Sequence, residues 1–217
     1  MKYQELIKEV EGVGKLKLSE QENFYRDVLN ESSNDLEVMV AATFYLGMAY
    51  YYEGNSKKAQ EYYSMSYDAN CKESLYYLGI LQKEAKEYDK AVKTFEKYIK
   101  EKKQDLTVDV YNRLASVYVE QGEYEKAQQA LDKGFSYGST DASQMLKKNQ
   151  VLLYERQKKR TEAKKAAKEY MKLYPNEMKV YYETDDFVCY YIHQNVECLY
   201  NLAIDYGYNN PKEQEEE

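Results

Sequence analysis

The sequence predicts an all-α protein built from helical hairpins, and three observations carry that prediction. Its 217 residues include only two prolines and nine glycines, too few chain breakers for a many-stranded β architecture. Apolar residues make up 43% and charged residues 32%, so the chain can bury a core. The phrase KEYDKAVKTF, residues 86–95, recurs 36 positions later as GEYEKAQQAL, residues 122–131, which indicates an internal repeat.

The first expected element is a degenerate N-terminal helical hairpin over residues 1–35. Its second helix, LSEQENFYRDVLN, is predicted to begin with Ser19 and Glu22 as a capping box. In such a box each of the two side chains binds a backbone N–H group at the start of the helix. We therefore expect Ser19 to be the N-cap of this helix.

Four repeats are predicted over residues 36–176, at about 36–71, 72–107, 108–140 and 141–176. In the first three, Leu-Gly or Leu-Ala is followed by an Ala thirteen residues after the Leu, and by an aromatic residue or Leu four residues later. These sets are Leu46, Gly47, Ala59 and Tyr63; Leu78, Gly79, Ala91 and Phe95; and Leu114, Ala115, Ala127 and Leu131. The fourth repeat keeps only the second half, with Ala163, Ala167 and Pro175. The small residues allow two antiparallel helices to approach closely, and the larger residue fills the gap to the next unit.

The turns inside the repeats fit the same pattern. Gly54 and Gly122 lie five residues before the repeat Ala, where a helix commonly ends in a residue of positive φ. Lys86 and Lys158 occupy the equivalent positions with a less suitable side chain. We expect all four residues to adopt positive φ.

A C-terminal capping helix is expected over residues 177–207, with Thr184 as its N-cap and Gly207 at its end, followed by an acidic tail over 208–217. A solenoid needs such a helix because its last repeat would otherwise expose an inner face.

The repeat pattern resembles the tetratricopeptide repeat (TPR), whose unit of about 34 residues carries W-x2-L-G-x2-Y, A-x3-F and P. The signature Trp is replaced here, by Thr43 in the first unit. The resemblance, to bacterial TPR proteins, implies a right-handed α-solenoid and a scaffold that binds a protein or peptide without catalysis. It also implies that the first helices of successive repeats line a concave groove. The matching groove residues are Phe44, Tyr45, Met48, Tyr51, Tyr52, Tyr76, Tyr77, Ile80, Asn112 and Arg113.

Two other functions stay open at this point. The N-terminal hairpin or the C-terminal helix could cover the aromatic groove, which would make the protein a self-closed regulatory or sensor subunit. Residues 147–172 carry ten Lys or Arg against three Glu and could receive an acidic partner or nucleic acid. The net charge of −7 argues against general nucleic-acid binding.

Catalysis, metal sites and cofactors are not predicted. His193 is the only histidine, and no phosphate-binding loop, dinucleotide fingerprint or H-E-x-x-H motif occurs. Cys71, Cys189 and Cys198 are an odd number without metal-like spacing, so free thiols in a reducing compartment are expected.

A cytoplasmic location is expected because no apolar run has the length of a signal peptide or a membrane span. The phrases EQGEYEKA and EYMKLYPNE also resemble TPR lipoproteins on the surface of Gram-positive gut bacteria. That alternative requires a lipid-attachment cysteine before Cys71, in a leader that has been removed.

Overall fold

The structure is a computed structural model that describes residues 2–32, 34–102, 108–137 and 140–173. Every regular element within these ranges is a helix: α1 (Tyr3–Val13), α2 (Leu18–Glu31), α3 (Leu36–Tyr52), α4 (Ser56–Asp68), α5 (Glu73–Glu84), α6 (Tyr88–Lys102), α7 (Val108–Glu120), α8 (Tyr124–Ser136), α9 (Thr140–Arg156) and α10 (Arg160–Leu173). The predicted capping helix over 177–207 and the acidic tail lie outside the described residues. In the part of the chain that is described, no helix has the length and apolar character needed to cross a bilayer.

The chain divides into two compact units, Met1–Leu106 and Thr107–Glu217. The first unit contains α1 to α6 and the second contains α7 to α10. In both units each helix packs against the next one along the chain. The all-α class predicted from the sequence is confirmed, while the boundaries assigned to the individual repeats stay a prediction.

Glycine on the first helix of a hairpin makes room for an aromatic ring on the second. A Cβ atom built on Gly47 would lie 2.9 Å from the Tyr63 ring, and one built on Gly79 would lie 2.6 Å from the Phe95 ring. Both rings are fully buried. The close approach predicted from Leu-Gly and Ala-x3-aromatic is therefore a contact between glycine and ring within one hairpin.

The turns between paired helices are built alike at four places. Gly54, Lys86, Gly122 and Lys158 have φ values of 80°, 59°, 75° and 58°. The residue after each of them donates its backbone N–H to a carbonyl five residues earlier, as from Glu87 to Gln82 at 2.8 Å. This is the Schellman arrangement, in which a left-handed residue ends the helix and pairs its last carbonyls. The predicted positive φ is confirmed at all four positions.

The predicted capping box at the start of α2 is wrong. The N-cap of α2 is Lys17, in an extended conformation and two residues before Ser19, and the helix begins at Leu18. The carboxylate of Glu20 accepts the backbone N–H of Lys17 at 3.1 Å, so Glu20 closes this helix end. Glu22 instead accepts a hydrogen bond from the Tyr50 hydroxyl on α3, and thereby ties the N-terminal hairpin to the next hairpin.

Candidate functional site

The aromatic surface consists of seven of the predicted groove residues, all in the first unit: Phe44, Tyr45, Met48, Tyr51 and Tyr52 on α3, and Tyr76 and Tyr77 on α5. Tyr52 is 74% exposed, and the other six are half-buried. Ile80, which the sequence placed with them, is only 5% exposed. The structure thus brings the α3 and α5 residues together and removes Ile80 from the accessible set.

Phe44 lies at the centre of the aromatic surface. Its ring centre is 5.5 Å from that of Tyr45, 5.5 Å from that of Tyr77 and 5.7 Å from that of Tyr63. The contacts to Tyr45 and Tyr77 are edge-to-face, the arrangement that the charge distribution of aromatic rings favours. Phe44 therefore joins α3 to α4 and α5, and its side chain contributes to the core as well as to the surface.

Tyr63 supports the surface from below. Its ring stacks on Tyr77 at 5.0 Å between centres, and its hydroxyl is buried without a hydrogen-bond partner among the described residues. Burial, with a further contribution from neighbouring tyrosines, raises the pKa of the Tyr63 hydroxyl far above its usual 10.0. The ring remains uncharged and structural at any physiological pH.

One edge of the aromatic surface is closed by the N-terminal hairpin. The Tyr25 ring of α2 stacks on Tyr45 at 6.2 Å with an interplanar angle of 14°. Burial raises the pKa of the Tyr45 hydroxyl, and the neighbouring Tyr3 of α1 adds to the shift. Tyr45 is therefore partly covered by the protein itself, while the self-closed alternative for the whole groove stays a prediction.

The opposite edge, at the C-terminal ends of α3 and α5, is the open one. Tyr52 lies edge-to-face against Tyr51, with 5.5 Å between ring centres and 65° between planes. The Tyr51 hydroxyl donates to Glu84 Oε1 at 3.2 Å, which places a carboxylate at the hydroxyl end of Tyr51. This corner combines exposed apolar area with polar groups at its rim, the composition of many interaction sites.

Asn112 and Arg113, the remaining predicted groove residues, belong to α7 in the second unit. Asn112 is 7% exposed and its side-chain oxygen accepts from Asn149 Nδ2 of α9 at 2.6 Å. Arg113 Nε lies 3.4 Å from Asp109 Oδ2 one helical turn earlier. Asn112 thus has a structural role between α7 and α9, whereas Arg113 is partly exposed.

The basic segment 147–172 is partly neutralised by its own carboxylates. Lys147 Nζ lies 2.8 Å from Glu169 Oε1, so α9 and α10 are joined by an ion pair. The hydrogen bond from Lys147, reinforced by its charge, lowers the pKa of Glu169. Arg156, Lys158 and Lys159 are exposed around the turn between these helices. Binding of nucleic acid or an acidic partner there stays a prediction.

Groups with catalytic or metal-binding chemistry are few in the described ranges. They contain no cluster of three or more His, Cys, Asp and Glu side chains able to hold a metal ion. The thiol of Cys71 lies 3.6 Å from Glu73 Oε2 at the start of α5. Cys189, Cys198 and His193 lie outside the described residues.

Sequence reasoning missed the residues that shape the aromatic surface from outside the first helices. Tyr63 could have been found, because it occupies the aromatic position of the repeat. Tyr25 and Glu84 carry no comparable signal: Tyr25 precedes the repeats, and Glu84 is one of many acidic residues on helix faces. Their positions follow from how the helices pack.

Known proteins share both the repeat pattern and the fold. Tetratricopeptide repeat profiles match residues 73–101, 149–177 and 108–137. No curated protein matches the chain significantly. A tetratricopeptide repeat protein from Parabacteroides merdae has a similar structure, with a TM-score of 0.69 and 17% identity over 95% of this chain and 74% of the other.

Two further solved structures are similar. MamA has a TM-score of 0.59 and 25% identity, over 71% of this chain and 87% of that one. YrrB, described as a TPR protein with an unusual peptide-binding site, has a TM-score of 0.58 and 14% identity, over 80% of this chain and 82% of that one.

These matches show that the chain contains tetratricopeptide repeats over the matched residues and has the all-α repeat fold predicted from its sequence. Repeats of this family serve in general as protein–protein interaction modules and are in general non-catalytic. The absence of enzymatic activity in this particular chain stays a prediction.

Proposed function

We propose that the protein is a non-catalytic scaffold that binds a peptide segment of a partner protein across α3 and α5 of its first unit. The observation that carries this proposal is the row of contacting rings on these two helices, which ends in the 74% exposed Tyr52. Aromatic residues dominate the energy of many interfaces because they bury large rigid areas at little entropic cost.

The partner would lie along the open edge of the aromatic surface. Tyr45 packs against Tyr25, and Phe44 packs between its aromatic neighbours. Phe44 and Tyr45 therefore form the less accessible base of the aromatic surface. Met48, Tyr51 and Tyr52 lie one to two helical turns further towards the end of α3, where they offer contact area to a ligand. A peptide would bury this area and remove it from water.

Capture of peptides from a displayed library of random 12-residue sequences tests the proposal. Tyr52→Ser should reduce capture at least tenfold, because an interface aromatic contributes about 2 kcal/mol. The matched control is Met65→Ser, since Met65 is 59% exposed on α4, the second helix of the same hairpin. Equal capture by all three proteins, or no capture by the wild type, would reject the proposal.

Simultaneous replacement of Phe44, Tyr45 and Tyr76 by Ala tests the same surface less cleanly. Phe44 and Tyr45 pack against the core of the first unit, and Tyr76 contacts Phe95 and Tyr98. We therefore expect the triple variant to lose both capture and thermal stability. Because Tyr52 is exposed, its replacement should change peptide capture without changing thermal stability, which the triple variant cannot do.

A further inference from the structure

The hydroxyl of Tyr63 is a buried polar group that the fold leaves unpaired. Tyr63 of α4 is fully buried, and its hydroxyl has no hydrogen-bond partner within the described ranges. Burying a hydroxyl without a partner lowers stability, because the group loses its hydrogen bonds to water and gains none in return. An unpaired group of this kind in a native fold calls for a reason other than stability.

The other hairpins show that the fold does not need this hydroxyl. The positions equivalent to Tyr63 in the repeat pattern are Phe95 on α6 and Leu131 on α8, which are both fully buried and have no polar side-chain atom. The Phe95 ring packs against Gly79 as the Tyr63 ring packs against Gly47. Phenylalanine would therefore fill the same space at position 63 without burying a polar atom.

The Tyr63 side chain lies beneath the aromatic surface. From α4 it reaches Gly47 on α3 and stacks on Tyr77 of α5, with 5.0 Å between ring centres. Tyr77 lies edge-to-face against Tyr51 at 6.1 Å, and Tyr51 lies edge-to-face against the exposed Tyr52. We call Tyr77, Tyr51 and Tyr52 the tyrosine row, since their ring contacts lead from Tyr63 to solvent at the open edge.

The tyrosine row also lies near the hydroxyl end of Tyr63. Burial is the main cause of the raised pKa of Tyr63, and Tyr77, Tyr52 and Tyr51 add to the shift through charge, an influence that falls with distance. Because the raised pKa keeps Tyr63 protonated, its hydroxyl stays a hydrogen-bond donor. Side-chain rotamers commonly change when a partner binds, so the tyrosine row can uncover this hydroxyl without movement of a helix.

The position of the hydroxyl limits the chemistry of its partner. Since the hydroxyl lies below the surface, the accepting atom must extend from the peptide on a side chain. A carboxylate is disfavoured, because burying a charge is costly and Glu84 already binds Tyr51 at the same edge. The side-chain amide of Asn or Gln provides a neutral carbonyl oxygen as acceptor.

We propose that the Tyr63 hydroxyl is a specificity-determining group that donates a hydrogen bond to an Asn or Gln side chain of the partner peptide. This inference rests on the proposed function and adds one polar contact to the aromatic ones. The hydroxyl lowers the stability of the free protein and is paired only in the complex.

Tyr63→Phe provides the first test, because it removes the hydroxyl and keeps the ring. The variant should bind a captured 12-residue peptide about tenfold more weakly, since the peptide's buried amide is left unpaired. It should melt at the temperature of the wild type or about 2 to 4 °C higher, because the unpaired hydroxyl is gone. The Kd is measured by fluorescence anisotropy and the melting temperature by circular dichroism.

Tyr67→Phe is the matched control on the same helix. The Tyr67 hydroxyl has a partner in the free protein, since it donates to Glu101 Oε1 at 2.9 Å. The same chemical change should there lower the melting temperature and leave the Kd unchanged. Opposite effects of the two variants distinguish a hydroxyl kept for binding from one kept for folding.

The captured peptides provide the second test. They should be enriched about threefold or more in Asn and Gln at one position, relative to the starting library. Replacing that residue by leucine should weaken binding to the wild type about tenfold, but cause little further loss with Tyr63→Phe, because the two changes remove one contact. Additive losses would overturn the inference.

The remaining outcomes separate this inference from the proposed function. If Tyr52→Ser reduces capture but Tyr63→Phe binds as tightly as the wild type, the inference is overturned and the aromatic surface stays a binding site. A lower melting temperature for Tyr63→Phe would show that the hydroxyl is paired in the free protein, and would also overturn the inference alone. Absence of any captured peptide would overturn both.

Discussion

Replacement of Gly79 by Ala should lower stability, although alanine is the better helix former. The added Cβ would lie 2.6 Å from the Phe95 ring, whereas ordinary contacts begin at 3.4 Å, so atoms must move by about 0.8 Å (3.4 − 2.6). Phe95 is fully buried, and its ring packs against Tyr76 at 6.3 Å between centres, so the ring cannot swing into solvent.

The change in the free energy of unfolding caused by Gly79→Ala is the sum of two opposing contributions. Forcing an extra methyl group into this contact costs about 1 to 3 kcal/mol. Alanine in a helix interior returns about 0.5 to 1 kcal/mol relative to glycine. From the midpoints of the two ranges, Gly79→Ala should therefore be less stable than the wild type by about 1 kcal/mol, measured by urea unfolding followed by circular dichroism.

Gly12→Ala is the matched control because nothing lies within 4 Å of a Cβ atom at Gly12 of α1. The same chemical change should there be neutral or stabilising by up to about 1 kcal/mol. Combining Gly79→Ala with Phe95→Leu should cost less than the sum of the two single changes, since the smaller side chain relieves the clash. A Gly79→Ala protein as stable as the wild type would refute the proposed contact between glycine and ring.

Three further predictions concern stability. Lys86→Gly should raise the free energy of unfolding, measured in urea titrations, by about 0.5 to 1 kcal/mol. The reason is that Lys86 has a φ of 59°, and glycine adopts positive φ without steric strain. A loss of stability would contradict the assigned turn. Ala91→Leu and Ala127→Leu should each lower the free energy of unfolding by about 1 to 3 kcal/mol, because both alanines are fully buried and a larger side chain would strain the packing. If both variants melt at the same temperature as the wild type, the assigned repeat register is wrong. The hydrogen bond from Tyr50 is the largest influence holding the pKa of Glu22 below its usual 4.5, so the stability it contributes is present above about pH 4.5 and is lost as pH falls through the lowered pKa. Tyr50→Phe should therefore be less stable than the wild type at pH 7, with a gap that narrows at pH 3; a gap independent of pH would exclude this linkage.

The hairpins could be predicted from the sequence because their rules are local. A left-handed residue ends a helix whatever its surroundings, so the spacing from Gly54 and Lys86 to the repeat alanines located the turns. The start of α2 could not be located in this way, because both Ser19 and Glu20 lie where capping residues occur and only the backbone conformation of Lys17 decides between them.

Exposure within the aromatic surface depends on tertiary packing and was not predictable. The resemblance to the tetratricopeptide repeat placed Tyr45, Tyr52 and Ile80 in one groove, yet Tyr25 covers Tyr45, and Ile80 is buried. Tyr52 stays open because it is the last residue of α3, beyond the contacts of the hairpin. Residue type and period indicate which side chains face one direction, but not which of them another element covers.

Photo-crosslinking most directly tests the central claim that α3 and α5 form the binding surface. A benzophenone side chain is introduced in place of Tyr52 on α3 or, as control, in place of Met65 on α4, and each protein is irradiated with a captured peptide. Both positions are exposed, at 74% and 59%, so neither change disturbs the core. A peptide adduct at position 52 without one at position 65 is the predicted result. Crosslinking at position 65 alone would place the peptide on the second helix of the hairpin and contradict the proposed binding surface.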